Sequence, residues 1–438
     1  MKLSGDDEMI IQRPDYLNKL ISKRQNGQIK IITGVRRCGK SFLLFNLFKT
    51  YLLENGVNDA QIICIALDNA LNVMLRDPLA LANHLNELTD GQQQYYVFLD
   101  EIQFVGEKKV QENPDIYLRF YDVLSALQQK GNVDIYVTGS NSKMLSNDIA
   151  TEFRGRGDVI HIAPLSFSEF YAFKGGPKEE AFKEYMIYGG YPAICGNPDG
   201  IERKQYLSRL FNETYLKDIV ERHDIDYPEA LGKITDALCS SVGSLTNSSR
   251  ITRTLKSAYG TDINCETTGK YIDFLCESYL FYKAYRFDVK GRKYLSFPYK
   301  YYCVDPGLRN ARLNFRQIEE THLMENIIYN ELVARGMAVD VGMVEKTEKV
   351  ADKRTTVAYE IDFVVNANAP GEKYYIQSAL NMDSPEKESQ ELRPFLQLNK
   401  DFTKRMVVSK TMLEPWQDEY GILHIGIYDF LLDFAKRM

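Results

Sequence analysis

The spacing of apolar and polar positions changes period several times along the chain. Gln28–Thr33 (QIKIIT) is a β-branched apolar run, the pattern of a buried strand, and from Ser41 onward (SFLLFNLFKTYLL) apolar residues recur at helical spacing. Tyr95–Asp100 (YYVFLD) and Asp134–Thr138 (DIYVT) predict two further strands, and residues 204–224 carry a polar-apolar helical pattern. Asn247–Tyr259 (NSSRITRTLKSAY) predicts a helix behind an Asn/Ser cap, Gly260–Asn264 a turn, and Glu266–Ser278 a second amphipathic helix. Two β-like runs follow, Leu280–Phe287 and Lys293–Val304, joined by the turn Asp288–Arg292. The last third predicts a helix at Met324–Gly336, strands at Ala338–Lys346, Val357–Val365 and Lys373–Leu380, a charged helix from Glu386, and a strand at Arg405–Val408. The mixture places the chain in the α/β class.

Composition narrows this. The 438 residues suggest roughly three domains, and 44% apolar with 26% charged residues excludes disordered or fibrous classes. No apolar run approaches the ~20 residues needed to cross a bilayer, so no membrane partner is expected. Seven cysteines form no CxxC pair, and the opening MKLSGDDEMIIQRP has no apolar signal segment; both point to reduced thiols and a cytoplasmic location. The net charge is −6, yet residues 241–312 hold twelve Lys/Arg against six Asp/Glu. That segment is therefore +6 inside an acidic remainder, which keeps a local polyanion contact open.

The densest chemistry lies between the first strand and the first helix. Gly34-Val35-Arg36-Arg37-Cys38-Gly39-Lys40-Ser41 fits G-x-x-x-x-G-K-[ST] in the strand–helix context that the motif requires. Glycines let backbone N–H groups face phosphates, and the helix N-terminus adds positive potential. The nucleotide would lie on Gly34 to Phe42, with Lys40 on the β- and γ-phosphates and Ser41 ligating Mg²⁺. Asp100 ends a second strand, where it would hold Mg²⁺ through water, and Glu101 would polarise the attacking water. After the third strand, Asn141, with Ser140 as second choice, is placed to contact the γ-phosphate or the water. In Ala150–Gly157 (ATEFRGRG), Arg154 or Arg156 could serve a neighbouring subunit's nucleotide, Arg154 being favoured.

ITGVRRCGKS, FLDEIQ, YVTGSNSKML, FRGRG and PLSFSEF (Pro164–Phe170), continued by YGGYP (Tyr188–Pro192) and YLKDI (Tyr215–Ile219), resemble a family of bacterial and archaeal AAA+-type ATP-binding proteins. The resemblance spans essentially the whole chain. It implies an ASCE-type P-loop ATPase with ATP and Mg²⁺ as cofactors, in a homo-oligomer for which a ring is one open form. It further implies a C-terminal domain related to PD-(D/E)-x-K nucleases. The expected division is 1–170 for the ATPase core, 171–225 for a helical lid, 226–312 for a winged helix and 313–438 for the nuclease-like domain.

Helix, turn, helix, hairpin is the order of a winged helix. Thr267, Thr268 and Lys270 fall on the early turns of its second helix, and Lys290, Arg292 and Lys293 crown the hairpin. With Arg250 and Arg253 on the first helix these are the candidate DNA contacts, and interleaved tyrosines suit stacking; packing within an assembly is the competing use. In the nuclease-like domain the matching positions are Glu325, Asp362 and Gln377-Ser378-Ala379. Cleavage would need an acid-x-Lys there, but Gln377 carries no charge and Ala379 removes the lysine. Lys373 stands at the wrong spacing to replace it. The expectation is a nuclease-like fold without cleavage, with Glu360 and Asp362 on one strand face leaving weak metal binding open. The leading function is a Mg²⁺-dependent ATPase acting with DNA. A nucleotide-dependent switch that binds a protein partner is the alternative, and an ATP-regulated nuclease a weaker one.

Overall fold

A computed structural model describes residues 10–110, 113–139, 157–350, 353–367, 371–382, 384–398, 403–411, 414–435 and 438. The chain divides into two compact units, residues 1–164 with 277–279, and residues 165–276 with 280–438.

In the first unit a helix α1 (Pro14–Ser22) precedes β1 (Ile29–Thr33), whose five residues are all buried. A continuous helix α2 (residues 40–54), with a π-helical stretch over Leu43–Phe48, follows the phosphate-loop sequence. Strands β2 (Ile62–Ala66), β3 (Tyr95–Asp100), β4 (Val133–Thr138) and β5 (Gly157–His161) complete a parallel sheet in the order β2-β3-β4-β1-β5. Strands buried on both faces need no polar alternation, which is why the sequence shows apolar runs here. Ile31, Val97, Leu99, Ile135 and Val137 pack beneath Leu81 and Leu85 of α3 (Pro78–Leu88) and Leu124 and Leu127 of α4 (Phe120–Gln129). Lys30, polar within an apolar run, is buried because it pairs with Asp134 on β4, which also accepts from the Tyr136 hydroxyl at 2.8 Å. A buried ammonium needs such a partner.

The second unit begins with helices between Phe167 and Ser240. Two more, α5 (Ser248–Tyr259) and α6 (Cys265–Glu277), precede a hairpin of β6 (Phe281–Asp288) and β7 (Lys293–Cys303). Asn247 caps α5 by accepting from Arg250 N–H at 2.8 Å. Then come α7 (Pro306–Arg312), α8 (Glu320–Ala334), β8 (Ala338–Val350), β9 (Lys353–Asn366), β10 (Lys373–Ala379), α9 (Pro385–Leu396), β11 (Lys404–Ser409), β12 (Trp416–Gln417) and β13 (Leu423–Gly426).

One sheet includes strands from both sides of the division expected between 226–312 and 313–438. β6 pairs in parallel with β8, Val341 opposite Arg286 and Met343 opposite Asp288, so the hairpin extends one sheet in the order β12-β13-β11-β10-β9-β8-β6-β7. A hairpin strand has an unpaired edge, and pairing satisfies it; no local sequence pattern specifies which strand does so. Ile361, Val364, Tyr375 and Val407 form the core of this sheet against Leu392 and Phe395 of α9. No described helix is long and apolar enough to cross a membrane.

Candidate functional site

The loop after β1 is shaped by close backbone approach. Gly34 has φ +138°, and a Cβ there would lie 2.1 Å from Ile162 O, so only glycine fits. Arg37 and Gly39 also take positive φ, 62° and 100°, turning the chain into α2. Lys40 is buried and donates to Gly34 O at 2.9 Å and Val35 O at 3.1 Å, which anchors its ammonium to the loop's own carbonyls. Ser41 and Phe42 occupy the first turn of α2.

Strand order puts the acids where this loop can use them. Only β4 separates β1 from β3, and register sets Ile32 beside Thr138 and Leu99 beside Val137, so the three carboxyl ends lie level. Asp100 is buried at the end of β3 and its Oδ1 accepts from the Thr138 hydroxyl. Glu101 follows with φ +55°, a conformation uncommon for a residue with a Cβ. Its N–H donates to Thr138 Oγ1 at 3.0 Å and its carboxylate accepts from Gln103 Nε2. Asn141 and Arg154, with Ser140 and Arg156, lie outside the described residues.

Three side chains absent from the sequence reading support this site. Thr138, fully buried, bridges Asp100 and Glu101; a β-branched residue closing a strand gives no signal of that role. Arg13, 3% exposed, donates to Cys38 O within the loop and to Ala163 O, both at 3.0 Å. His161 lies 3.3 Å from Thr33 Oγ1 through Nδ1; burial, and then the positive charge of Lys40, push its pKa down to about 4, so it is neutral at physiological pH.

In the second unit the candidate DNA contacts Arg250, Arg253, Lys270, Lys290, Arg292 and Lys293 are all exposed. Lys270 lies 3.4 Å from Glu266, and Lys290 donates to Glu345 O at 3.1 Å. Tyr294, 63% exposed, stands beside the hairpin tip. Thr268 does not face outward: it is fully buried and accepts from Thr252 Oγ1 at 2.8 Å, fastening α5 to α6. The +6 of residues 241–312 is also partly internal, because Lys300 and Arg309 are buried.

Glu325, Asp362 and Gln377, the positions expected for a nuclease-like domain, lie near one another and beside Lys300. Glu325 on α8, and Glu360 and Asp362 on β9, surround Lys300 from β7; Nζ lies 2.8 Å from Glu325 Oε1, 2.7 Å from Glu360 Oε1 and 3.3 Å from Asp362 Oδ1. Gln377 Oε1 is 3.4 Å from Asp362 N. Lys373 lies elsewhere, its ammonium 5.9 Å from the Phe287 ring centroid. Burial opposes the Lys300 charge, but Glu325, Asp362 and Glu360 outweigh it and raise its pKa. Burial pushes Glu325 up to about 7, against the pull of Lys300.

A parallel sheet with one strand inserted between the phosphate-loop strand and the acid-bearing strand is the arrangement of a P-loop ATPase of AAA type, and residues 26–171 match the family profile described as AAA domain. Residues 179–319 match the profile of a domain of unknown function. An uncharacterized protein of Haemophilus influenzae is 32% identical over 430 residues, 97% of this chain and 99% of its own length. One of Methanocaldococcus jannaschii is 30% identical over 377 residues, 82% and 77%. The chain belongs to one family with these two proteins. Among solved structures, AMPPCP-bound DnaA from Aquifex aeolicus is similar with a TM-score of 0.32 at 16% identity, covering 60% of this chain and 86% of that one. Aeropyrum pernix ORC1 in complex with DNA gives 0.29 at 12% identity, covering 70% and 94%. Both likenesses are distant.

Proposed function

We propose that this protein hydrolyses ATP in a Mg²⁺-dependent reaction and uses the cycle to act with DNA as a cytoplasmic homo-oligomer. The observation that carries the reading is Thr138 holding Asp100 and Glu101 at the level of the loop after β1. The donors present fit a nucleotide and its metal. Backbone N–H groups from Gly34 to Phe42 and the Lys40 ammonium are the phosphate ligands, and Lys40 would exchange its two loop carbonyls for phosphate oxygens. Ser41 and Asp100 are the side chains for Mg²⁺, which when bound neutralises developing phosphate charge. Glu101 orients and deprotonates the attacking water; to reach it, its carboxylate leaves Gln103. Asn141 and an arginine supplied by a neighbouring subunit, Arg154 in first place, complete the proposed machinery.

DNA contact is assigned to the exposed face of α5 and α6 and the tip of the β6–β7 hairpin, used as a winged helix. Seven exposed basic side chains, Lys256 among them, lie on these elements. The domain built on Glu325, Asp362 and Gln377 is read as nuclease-like in fold and inert in cleavage. Steady-state ATP hydrolysis with and without duplex, single-stranded and branched DNA tests the whole reading. Lys40→Ala should abolish nucleotide binding or turnover, and Glu101→Gln should bind ATP and barely hydrolyse it. Hydrolysis at the unaltered rate in Glu101→Gln would remove Glu101 from its role, and turnover indifferent to every DNA would remove the DNA assignment.

A further inference from the structure

The carboxylates aligned with a nuclease centre are already engaged. A divalent ion of such a centre is held by acid oxygens that converge on one point, and here that point holds the ammonium of Lys300. The other oxygen of Asp362, Oδ2, accepts from Ser378 N–H at 2.9 Å, and Glu325 Oε1 takes a second donor, the Tyr302 hydroxyl, at 2.7 Å. On the far side of Glu325 the backbone closes in: a Cβ on Gly243 would lie 2.9 Å from Oε2. Among the described residues no group of three or more His, Cys, Asp or Glu side chains is arranged to hold a metal. The residues present therefore do not fit the metal that a nuclease-like fold implies.

We infer that Lys300 is the resident cation of this centre: its ammonium takes the place of a divalent ion, and β7, β9 and α8 are tied together by charge without metal. A metal ion entering beside it would meet a like charge at contact distance in a buried setting, where such repulsion is poorly screened. Burial beside Asp362 raises the pKa of Glu325 against the pull of Lys300, so Glu325 is the carboxyl of this centre that takes a proton most readily. The comparison with a nuclease centre rests on reading residues 313–438 as nuclease-like; the charge geometry does not.

The test is Mn²⁺ binding to the full chain without nucleotide, followed by the electron paramagnetic resonance of free Mn²⁺. Unaltered protein and Asp362→Asn should bind equal Mn²⁺. Lys300→Met, which keeps the stem and removes the charge, should bind one Mn²⁺ more per chain, and Lys300→Met/Asp362→Asn should lose it. A Mn²⁺ in the unaltered protein that Asp362→Asn removes would overturn the inference, as would Lys300→Met gaining none. Should Lys300→Met fail to fold, the unaltered protein and Asp362→Asn still decide it. Plasmid incubated with Mn²⁺ separates the two readings. Metal binding at Asp362 without nicking overturns only the resident cation, whereas nicking that depends on Asp362 also overturns the inert domain.

Discussion

The hydroxyl of Thr138 donates to Oδ1 of Asp100 and, through its lone pairs, accepts the N–H of Glu101. One buried side chain thus fixes the rotamer of the proposed metal acid and the left-handed turn that carries the proposed base. Thr138→Val keeps the shape and removes both bonds. Losing a hydrogen bond to a charged group costs about 1.5–3 kcal/mol, or ~10–150-fold in rate if the cost falls on the transition state. Thr138→Val should therefore bind ATP and hydrolyse it ~10–100-fold more slowly, while Thr138→Ser retains turnover. Hydrolysis by the valine variant at the unaltered rate would show that Asp100 and Glu101 hold themselves in place.

Arg13 makes an analogous contribution from the backbone side. Its guanidinium joins Cys38 O of the loop to Ala163 O beyond β5 and stacks 4.5 Å from the Tyr16 ring centroid. Arg13→Ala leaves buried carbonyls without these donors, at a cost of about 1–3 kcal/mol. Thermal denaturation should show the loss, and the KM for ATP should rise more than kcat falls because the loop, not the acids, loses its support. Arg13→Lys should recover part of both. An alanine variant with unchanged KM would make Arg13 a purely structural residue.

What the sequence disclosed follows from how far apart the partners stand. Gly34–Ser41 and the strand before it are contiguous, so phosphate-binding chemistry is written in one stretch. Asp100 and Glu101 were legible because an apolar run ending in acids repeats a known spacing from that stretch. Thr138 was not, since its role depends on β4 lying beside β3, and a strand-ending threonine looks like any other. Lys300 was hidden for the same reason: it meets Glu325 and Asp362 across 25 and 62 residues of chain. The β10 motif lacks its lysine and Lys373 on that strand lies elsewhere, while the ammonium beside Glu325 and Asp362 belongs to Lys300 on β7. The alternation along Leu280–Phe287 and Lys293–Val304 marks the hairpin to within a residue at each end, but its pairing with β8 has no local signature.

At the tip of that hairpin, Lys290, Arg292 and Lys293 offer three positive charges within four residues. If they contact phosphates, binding of duplex DNA should weaken with salt, and each neutralised phosphate contributes about 0.9 to the log–log slope. Replacing all three by alanine should lower the slope by ~2–3, leaving ATP hydrolysis without DNA unchanged. Fluorescence anisotropy between low and moderate salt reads this directly. An unaltered slope would move the contact to α5 and α6, where Arg250, Arg253 and Lys270 are the next set to neutralise.

Asp305 provides a pH-dependent test of the second unit. Its side chain caps α7, Oδ1 accepting from Leu308 N–H at 3.0 Å and Oδ2 from Gly190 N–H at 2.7 Å. Burial pushes its pKa up to about 6, with those N–H groups pulling the other way. A carboxyl whose folded pKa lies above its unfolded value of ~3.9 gives stability that is fully present below the unfolded value and lost as pH rises through the folded one. Asp305→Asn cannot ionise. Whatever constant offset follows from setting an amide against Gly190 N–H, the variant should gain on the unaltered protein by ~1–3 kcal/mol between pH 4.5 and pH 7.5. Urea denaturation at closely spaced pH values would show the difference changing through pH 4–6. A difference that stays flat across that window would mean that the N–H groups, not burial, set the charge of Asp305.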